Sequence, residues 1–133
     1  MKEMNALFEN IKDHVARSAG PLFRCEETGS VLTIATPFTY PDGDEIELYL
    51  EKRGGDLILG DMGETLRSLG EKANPSAVEK ITQNCHLLFR RGELLAVIRH
   101  EERLVDAILS LCQAILMTSG LLFSNKFNKE GSR

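Results

Sequence analysis

Two tight-turn signals, Pro41-Asp42-Gly43-Asp44 and Gly54-Gly55-Asp56, bracket a segment whose side chains alternate strictly, and this arrangement admits few folds. Proline fixes φ in the first turn and glycine supplies positive φ in both, so the chain reverses twice in quick succession. Between the turns, Glu45 to Lys52 sets Ile46, Leu48 and Leu50 on one face and Glu45, Glu47, Tyr49 and Glu51 on the other. One face suits a core and the other water. Leu57-Ile58-Leu59 returns as a short strand. Tight turns join only antiparallel strands, so the sheet that holds this segment is expected to be largely antiparallel.

The flanking chain adds elements in a readable order. From Lys2 to Ala19, Met4, Leu7, Phe8, Ile11 and Val15 recur at spacings of three and four, the pattern of an amphipathic helix, and Gly20-Pro21 ends it. Leu22 to Glu26 and Val31 to Phe38 are β-prone segments around Thr28-Gly29-Ser30, which predicts a hairpin. In the second segment Val31, Thr33 and Ala35 alternate against Leu32, Ile34 and Thr36, so both faces can be covered. Asp61 followed three residues later by Glu64 predicts a capping box that starts a helix at Met62 and runs to about Leu69. Gly70 stops that helix. Asn74-Pro75 starts another that runs to about Asn84. Leu87 to Arg90 and Leu94 to Arg99 flank Arg91-Gly92-Glu93 as a further hairpin. Leu104, Ile108, Leu111, Cys112 and Ile115, widened by Val105, Leu109 and Leu116, predict a long helix that is either central or part of an interface.

These elements predict an α+β domain: a largely antiparallel sheet of five to six short strands, with an N-terminal helix, two short middle helices and a long C-terminal helix packed on one face. The 133 residues suffice for one domain, expected over residues 1–123, with 124–133 as a polar flexible tail. Within the apolar stretch from Ala107 to Phe123, Ser110, Gln113, Thr118, Ser119 and Gly120 argue for a buried helix rather than a bilayer span, so no membrane partner is expected. Acids interrupt the N-terminal stretch where an export signal needs unbroken apolar residues, and the expected location is cytoplasmic. Three widely spaced cysteines, Cys25, Cys85 and Cys112, form no disulfide framework and read as small buried hydrophobes.

The charge is uneven. Residues 42–64 carry eight acids and two bases, while the remainder of the chain is close to balanced. Without an excess of Lys and Arg to displace phosphate counterions, direct nucleic-acid binding is not expected.

Thr36-Pro37-Phe38-Thr39-Tyr40-Pro41-Asp42-Gly43-Asp44-Glu45-Ile46-Glu47-Leu48-Tyr49, followed after the glycine turn by Leu59-Gly60-Asp61-Met62-Gly63-Glu64-Thr65-Leu66-Arg67-Ser68-Leu69, resembles the signature of an uncharacterised bacterial and phage family, domain of unknown function 1828. The resemblance covers roughly a quarter of the chain, and two motifs at this separation are more specific than either alone. It implies a small prokaryotic protein, often associated with mobile elements or prophages, and in some relatives fused to a second uncharacterised domain. It supplies no reaction and no catalytic residues.

Asp42, Asp44, Glu45, Glu47, Asp61 and Glu64 are the one constellation with enough carboxylates for a hard divalent cation. Pro41-Asp42 also matches the opening of a metal-dependent nuclease core, but no Lys stands two residues after a strand acid to complete it. An EF-hand loop is excluded because a strand follows the turn. Each acid also has a local role, in a turn, on a wet strand face or in a cap. Cys85 beside His86, with His14 and His100, shows no zinc spacing, and adjacent residues on a strand point to opposite faces. Gly-Asp-Met-Gly-Glu lacks the Lys and hydroxyl of a phosphate loop. Arg90, Arg91, Arg99 and Arg103 gather near the late hairpin as a positive edge that suits self-pairing or a charged partner.

The leading expectation is a non-catalytic protein-interaction module that binds a protein partner through Asp42, Asp44, Glu45, Glu47, Tyr49 and Glu51. The final helix is a candidate homodimer surface. No catalytic residue, metal or cofactor is assigned. The alternatives are a divalent-metal-dependent hydrolase or nuclease using Asp42, Asp44, Glu45 and Glu47, and an acidic nucleic-acid mimic that presents all eight acids of residues 42–64 on one exposed surface. A regulatory or anti-defence role is implied by the family resemblance alone.

Overall fold

A computed structural model describes residues 2–19 and 22–131, with side chains described for 4–17, 22–70 and 72–121. Gly20 and Pro21, the expected stop of the first helix, lie outside the described residues. The order is α1 (Lys2–Ala19), β1 (Arg24–Thr28), β2 (Val31–Thr39), β3 (Glu45–Arg53), β4 (Asp56–Gly60), α2 (Glu64–Leu69), α3 (Pro75–Asn84), β5 (Leu88–Arg90), β6 (Glu93–Ile98) and α4 (Leu104–Gly131). The strands form one six-stranded sheet in the order β1-β2-β3-β4-β6-β5, every neighbouring pair antiparallel. The domain is α+β.

Alternation decides which face of the sheet is dry. Leu32 and Ile34 of β2, Ile46, Leu48 and Leu50 of β3, and Leu59 of β4 are fully buried. They join Phe8, Ile11 and Val15 of α1, Val78 of α3, and Leu104, Ile108, Leu111 and Ile115 of α4 in one cluster. Cross-strand register aligns the set, with Leu32 opposite Leu50, Ile34 opposite Leu48 and Leu50 opposite Leu59. A slip of one residue would send all of them to the wet face. The central position of α4 is direct: it packs on α1, α2, α3, β4 and β6. The segment Glu101–Leu121, most of it in α4, is long and apolar enough to cross a bilayer by length and composition, and the inner face of α4 is spent on this core. The outer face exposes Leu109, Leu116 and Met117.

The turns follow their chemistry. Gly54 and Gly55, at φ 56° and 90°, form the two-residue reversal between β3 and β4. The Asn74 side chain accepts from the Ser76 and Ala77 amides, with Pro75 at the first helical position of α3. In β2 the pairing with β3 shifts between Ala35 and Thr39, a bulge that takes in Pro37, which has no N–H to give a ladder. Buried Thr36 compensates inside the bulge: its Oγ1 donates to the Ile46 carbonyl at 2.7 Å and accepts from the Phe38 amide at 3.3 Å.

Cys85 and His86 lie in the turn between α3 and β5, His86 with φ 60°, and α4 runs on to Gly131. Two local expectations need correction. β1 begins at Arg24, not Leu22, and Leu22 is exposed. The second is the start of α2. The helix opens at Glu64 because Met62 and Gly63 hold φ of 52° and 77°, outside the right-handed helical region, and the residue at its N-cap, Gly63, has no side chain to cap with. The predicted capping box therefore does not form, and Asp61 is free for a different task.

Candidate functional site

The face of the sheet turned away from the core carries the densest acidic charge. Two cross-strand rows make its floor: Arg24–Ala35–Glu47 and Glu26–Thr33–Tyr49, from β1, β2 and β3. The middle residue of each row is small and its neighbours are large, so the surface dips along β2. The Tyr40–Asp44 turn walls one side and the exposed face of α2 another, giving a groove of about 1060 Å³ lined by Tyr40, Asp42, Asp44, Glu45, Glu64, Arg67 and Ser68 with the floor residues. β4 pairs with β3 only from Tyr49 onward. The chain leaves the sheet at Gly60 and α2 follows, packed on α4 and β6.

Hydrogen bonds fix both walls. In the turn, Gly43 N–H donates to the Tyr40 carbonyl at 2.9 Å, Tyr40 N–H to the Asp44 carbonyl at 2.8 Å, and Asp44 N–H to Asp42 Oδ1 at 2.9 Å. The second wall hangs on Asp61, which is fully buried. Its Oδ1 accepts from the amides of Gly63 at 2.9 Å and Leu94 at 3.1 Å, and its Oδ2 from that of Thr65 at 3.4 Å. Asp61 N–H donates in turn to the Leu94 carbonyl at 3.1 Å. The left-handed Met62-Gly63 pair is held from outside as well: Glu93 accepts from Met62 N–H at 3.1 Å, and Arg67 donates to the Met62 carbonyl at 2.9 Å. The walls meet where the Tyr40 hydroxyl and Thr65 Oγ1 lie 3.3 Å apart in a buried hydrogen bond. The segments Thr36–Tyr49 and Leu59–Leu69 thus fold into one structure, the rim of the groove.

The family model described as Domain of unknown function DUF1828 matches residues 36–117, more than half of the chain. The chain belongs to this family. Neither a curated protein nor a solved structure matches it. The DUF1828 match takes in both rim segments, while Arg24, Glu26, Thr33 and Ala35 of the floor precede it.

Electrostatically the groove of this DUF1828 domain is under-compensated. Glu26, Asp42, Asp44, Glu45, Glu47 and Glu64 face it, against Arg24 and Arg67. Arg24 Nη2 sits between both oxygens of Glu45, at 2.6 and 2.9 Å, and Arg67 pairs with Glu64 at 3.0 Å. Among the described residues, Glu26, Asp42, Asp44 and Glu47 have no basic partner. Nor do any three His, Cys, Asp or Glu come together so as to hold a metal ion. Burial pushes the Asp61 carboxyl above its usual range, against hydrogen bonds from Thr65, Gly63 and Leu94 that pull it down. It also raises the Cys25 thiol at the groove margin, which leaves that residue a poor nucleophile.

The two tyrosines report on this field. Burial pushes Tyr40 up to about 12, with the Asp61 and Glu64 carboxylates adding to it against the Thr65 hydrogen bond. Tyr49 is raised by burial first and then by Glu47 and Glu64. The chain has two tyrosines and no tryptophan, so tyrosinate absorbance is unobscured. Both groups are expected to ionise above the ordinary value of 10, Tyr49 first and Tyr40 near 12. A raised tyrosine favours the folded state below the unfolded value of 10, a contribution lost as pH rises through about 12. Alkaline unfolding is expected in that window, and Glu47→Gln should lower the Tyr49 midpoint. A spectrophotometric titration in which both rings ionise together at the free-tyrosine value would contradict this geometry.

Five of the six residues assigned from the sequence line the groove: Asp42, Asp44, Glu45, Glu47 and Tyr49. Glu51 does not. It lies in a second depression of about 330 Å³ with Arg53, Met62, Gly63, Arg67, Arg91 and Glu93, where Arg53 Nε donates to it at 2.7 Å. Nor do the eight acids of residues 42–64 share one exposed surface, since Asp61 is buried and Glu51 sits apart. Sequence reasoning missed Arg24, Glu26, Thr33 and Ala35 in the floor, and Tyr40 and Arg67 in the walls. Alternation within β1 and β2 was the available signal for the floor, and it needed the register of both hairpins.

Proposed function

We propose that this DUF1828 domain is a non-catalytic protein-interaction module that works in the cytoplasm of a prokaryotic cell or its phage, in a regulatory or anti-defence role. The observation that carries this reading is the groove itself: an open sheet face with four carboxylates that have no basic partner among the described residues, two tyrosines, and walls built from both family segments. Carboxylates spread over a concave surface rather than converged on one point suit a charged macromolecular partner, because complementary potential steers encounter and fixes register.

The test pairs binding with a metal control. Immobilised wild-type protein is expected to retain a discrete partner from extract of a natural host, identified by mass spectrometry, and a Glu47→Lys, Tyr49→Ala variant to lose it. Thermal midpoints of the wild type and of an Asp44→Asn, Glu47→Gln variant are expected to be indifferent to millimolar Mn²⁺ or Mg²⁺. A metal-dependent rise in the wild type that the variant lacks would overturn the reading in favour of a hydrolase, since a ligand of the folded state raises its stability by mass action.

A further inference from the structure

We propose that the occupant of the groove is an arginine-bearing extended segment of a partner protein, and that Arg24 is a resident guanidinium which such a segment displaces from Glu45. This inference rests on the interaction-module reading above and names the partner's chemistry. Charge complementarity selects a basic occupant: six carboxylates line this unpartnered sheet face against two arginines. The kind of base follows from the surroundings. Half-buried Tyr49 stands in the floor beside Glu47 and offers its ring, while Tyr40, buried in the core, only backs the wall. A planar guanidinium can lie on a ring while its edge donates to carboxylates, whereas an ammonium is a compact, strongly hydrated charge.

Arg24 shows how a guanidinium engages this surface. It leaves β1, passes the short side chain of Ala35 and reaches Glu45 of β3 with a single nitrogen, Nη2. Its side chain stays 69% exposed and Glu45 47% exposed. A pair so wetted holds weakly and exchanges readily. A partner's arginine that can also reach Glu47 and Asp44 has more acceptors available than Arg24 uses.

The 133-residue chain would be titrated by fluorescence anisotropy with two labelled peptides of equal charge, Gly-Arg-Gly-Arg-Gly-Arg and Gly-Lys-Gly-Lys-Gly-Lys. The arginine peptide is expected to bind more tightly than the lysine peptide, and its affinity to fall as salt screens the groove. Arg24→Ala is expected to tighten the arginine peptide about two- to five-fold, the size of an exposed ion pair, and Glu47→Gln to weaken it. The exposure of Arg24 keeps its removal from touching the core. Equal binding of the two peptides, or unchanged or weaker binding by Arg24→Ala, would overturn the inference and leave the acidic module standing. No binding of either peptide at millimolar concentration would overturn both.

Discussion

Replacing Asp61 with alanine is expected to destabilise the domain by about 3 kcal/mol, roughly 10 °C in midpoint for a chain of this length. Among the described residues Asp61, a buried carboxylate, has no cation partner, and its desolvation costs stability. Against that cost stand the amides of Gly63, Thr65 and Leu94, all of which donate to it. The Thr65 and Leu94 bonds are buried, so truncation leaves two donors that water does not reach, at about 1–3 kcal/mol each. The orphaned amides win over the relieved carboxylate. Asp61→Asn keeps an acceptor for two amides and turns a donor toward the third, and should lie between wild type and alanine. The pH dependence has a definite sign. The folded pKa is raised above the ordinary 3.8, so Asp61's titration favours the folded state fully below that value and the contribution is lost as pH rises through the folded pKa. Denaturant melts should therefore show the wild-type advantage over Asp61→Asn shrinking from acid toward neutral pH. An advantage that grows with pH would mean that the three amides outweigh burial.

The second large effect is expected at Gly60, for reasons of space. A Cβ there would lie 2.8 Å from Glu93 Oε2 and 3.2 Å from the Leu94 carbonyl. That carboxylate is already committed: Arg53 donates to its two oxygens at 2.7 and 2.9 Å, and the left-handed Met62 donates to Oε2 at 3.1 Å. Gly60→Ala must push Glu93 aside and strain the β4–β6 pairing, at about 2 kcal/mol. Arg53 is 40% exposed, so most of this loss is assigned to the contact and the Met62 amide rather than to the ion pair. A double-mutant cycle separates the two causes. In a Glu93→Ala background, Gly60→Ala should cost less by at least about 0.5 kcal/mol, leaving the Leu94 carbonyl as the residual obstacle. Additive costs would place the cause in the backbone instead.

Much of the fold was legible because its signals are local. Alternation of Ile46, Leu48 and Leu50 against Glu45, Glu47 and Tyr49 specifies which face of β3 is buried, and Gly54-Gly55 specifies where the chain returns. Asn74-Pro75 specifies the start of α3. Asp61 shows the opposite case. With Glu64 three residues on, it carries every local mark of a cap, yet its decisive partner, Leu94, is 33 residues away. Nothing near Met62 announces a left-handed residue, because that conformation is imposed by Glu93 and Arg67. The acidic half of the groove was readable for the same reason as β3: Asp42, Asp44, Glu45, Glu47 and Tyr49 are neighbours in the chain. Arg24, Thr33 and Ala35 become neighbours of Glu47 and Tyr49 only through two hairpin registers.

The sequence alone determined the antiparallel sheet, the buried face of β3, the helix starts that a proline or a periodic apolar stripe dictates, and the concentration of charge in residues 42–64. These depend on φ preferences and on side-chain periods of 2 and 3.6, which act over a few residues. Tertiary structure decided that Asp61 is a buried strut rather than a cap, that Tyr40 and Thr65 join the two family segments, and that small residues of β2 hollow the sheet into a groove. Those outcomes depend on which distant backbone amides are left without water and on which side chains register brings face to face. Both quantities exist only once the chain has closed on itself.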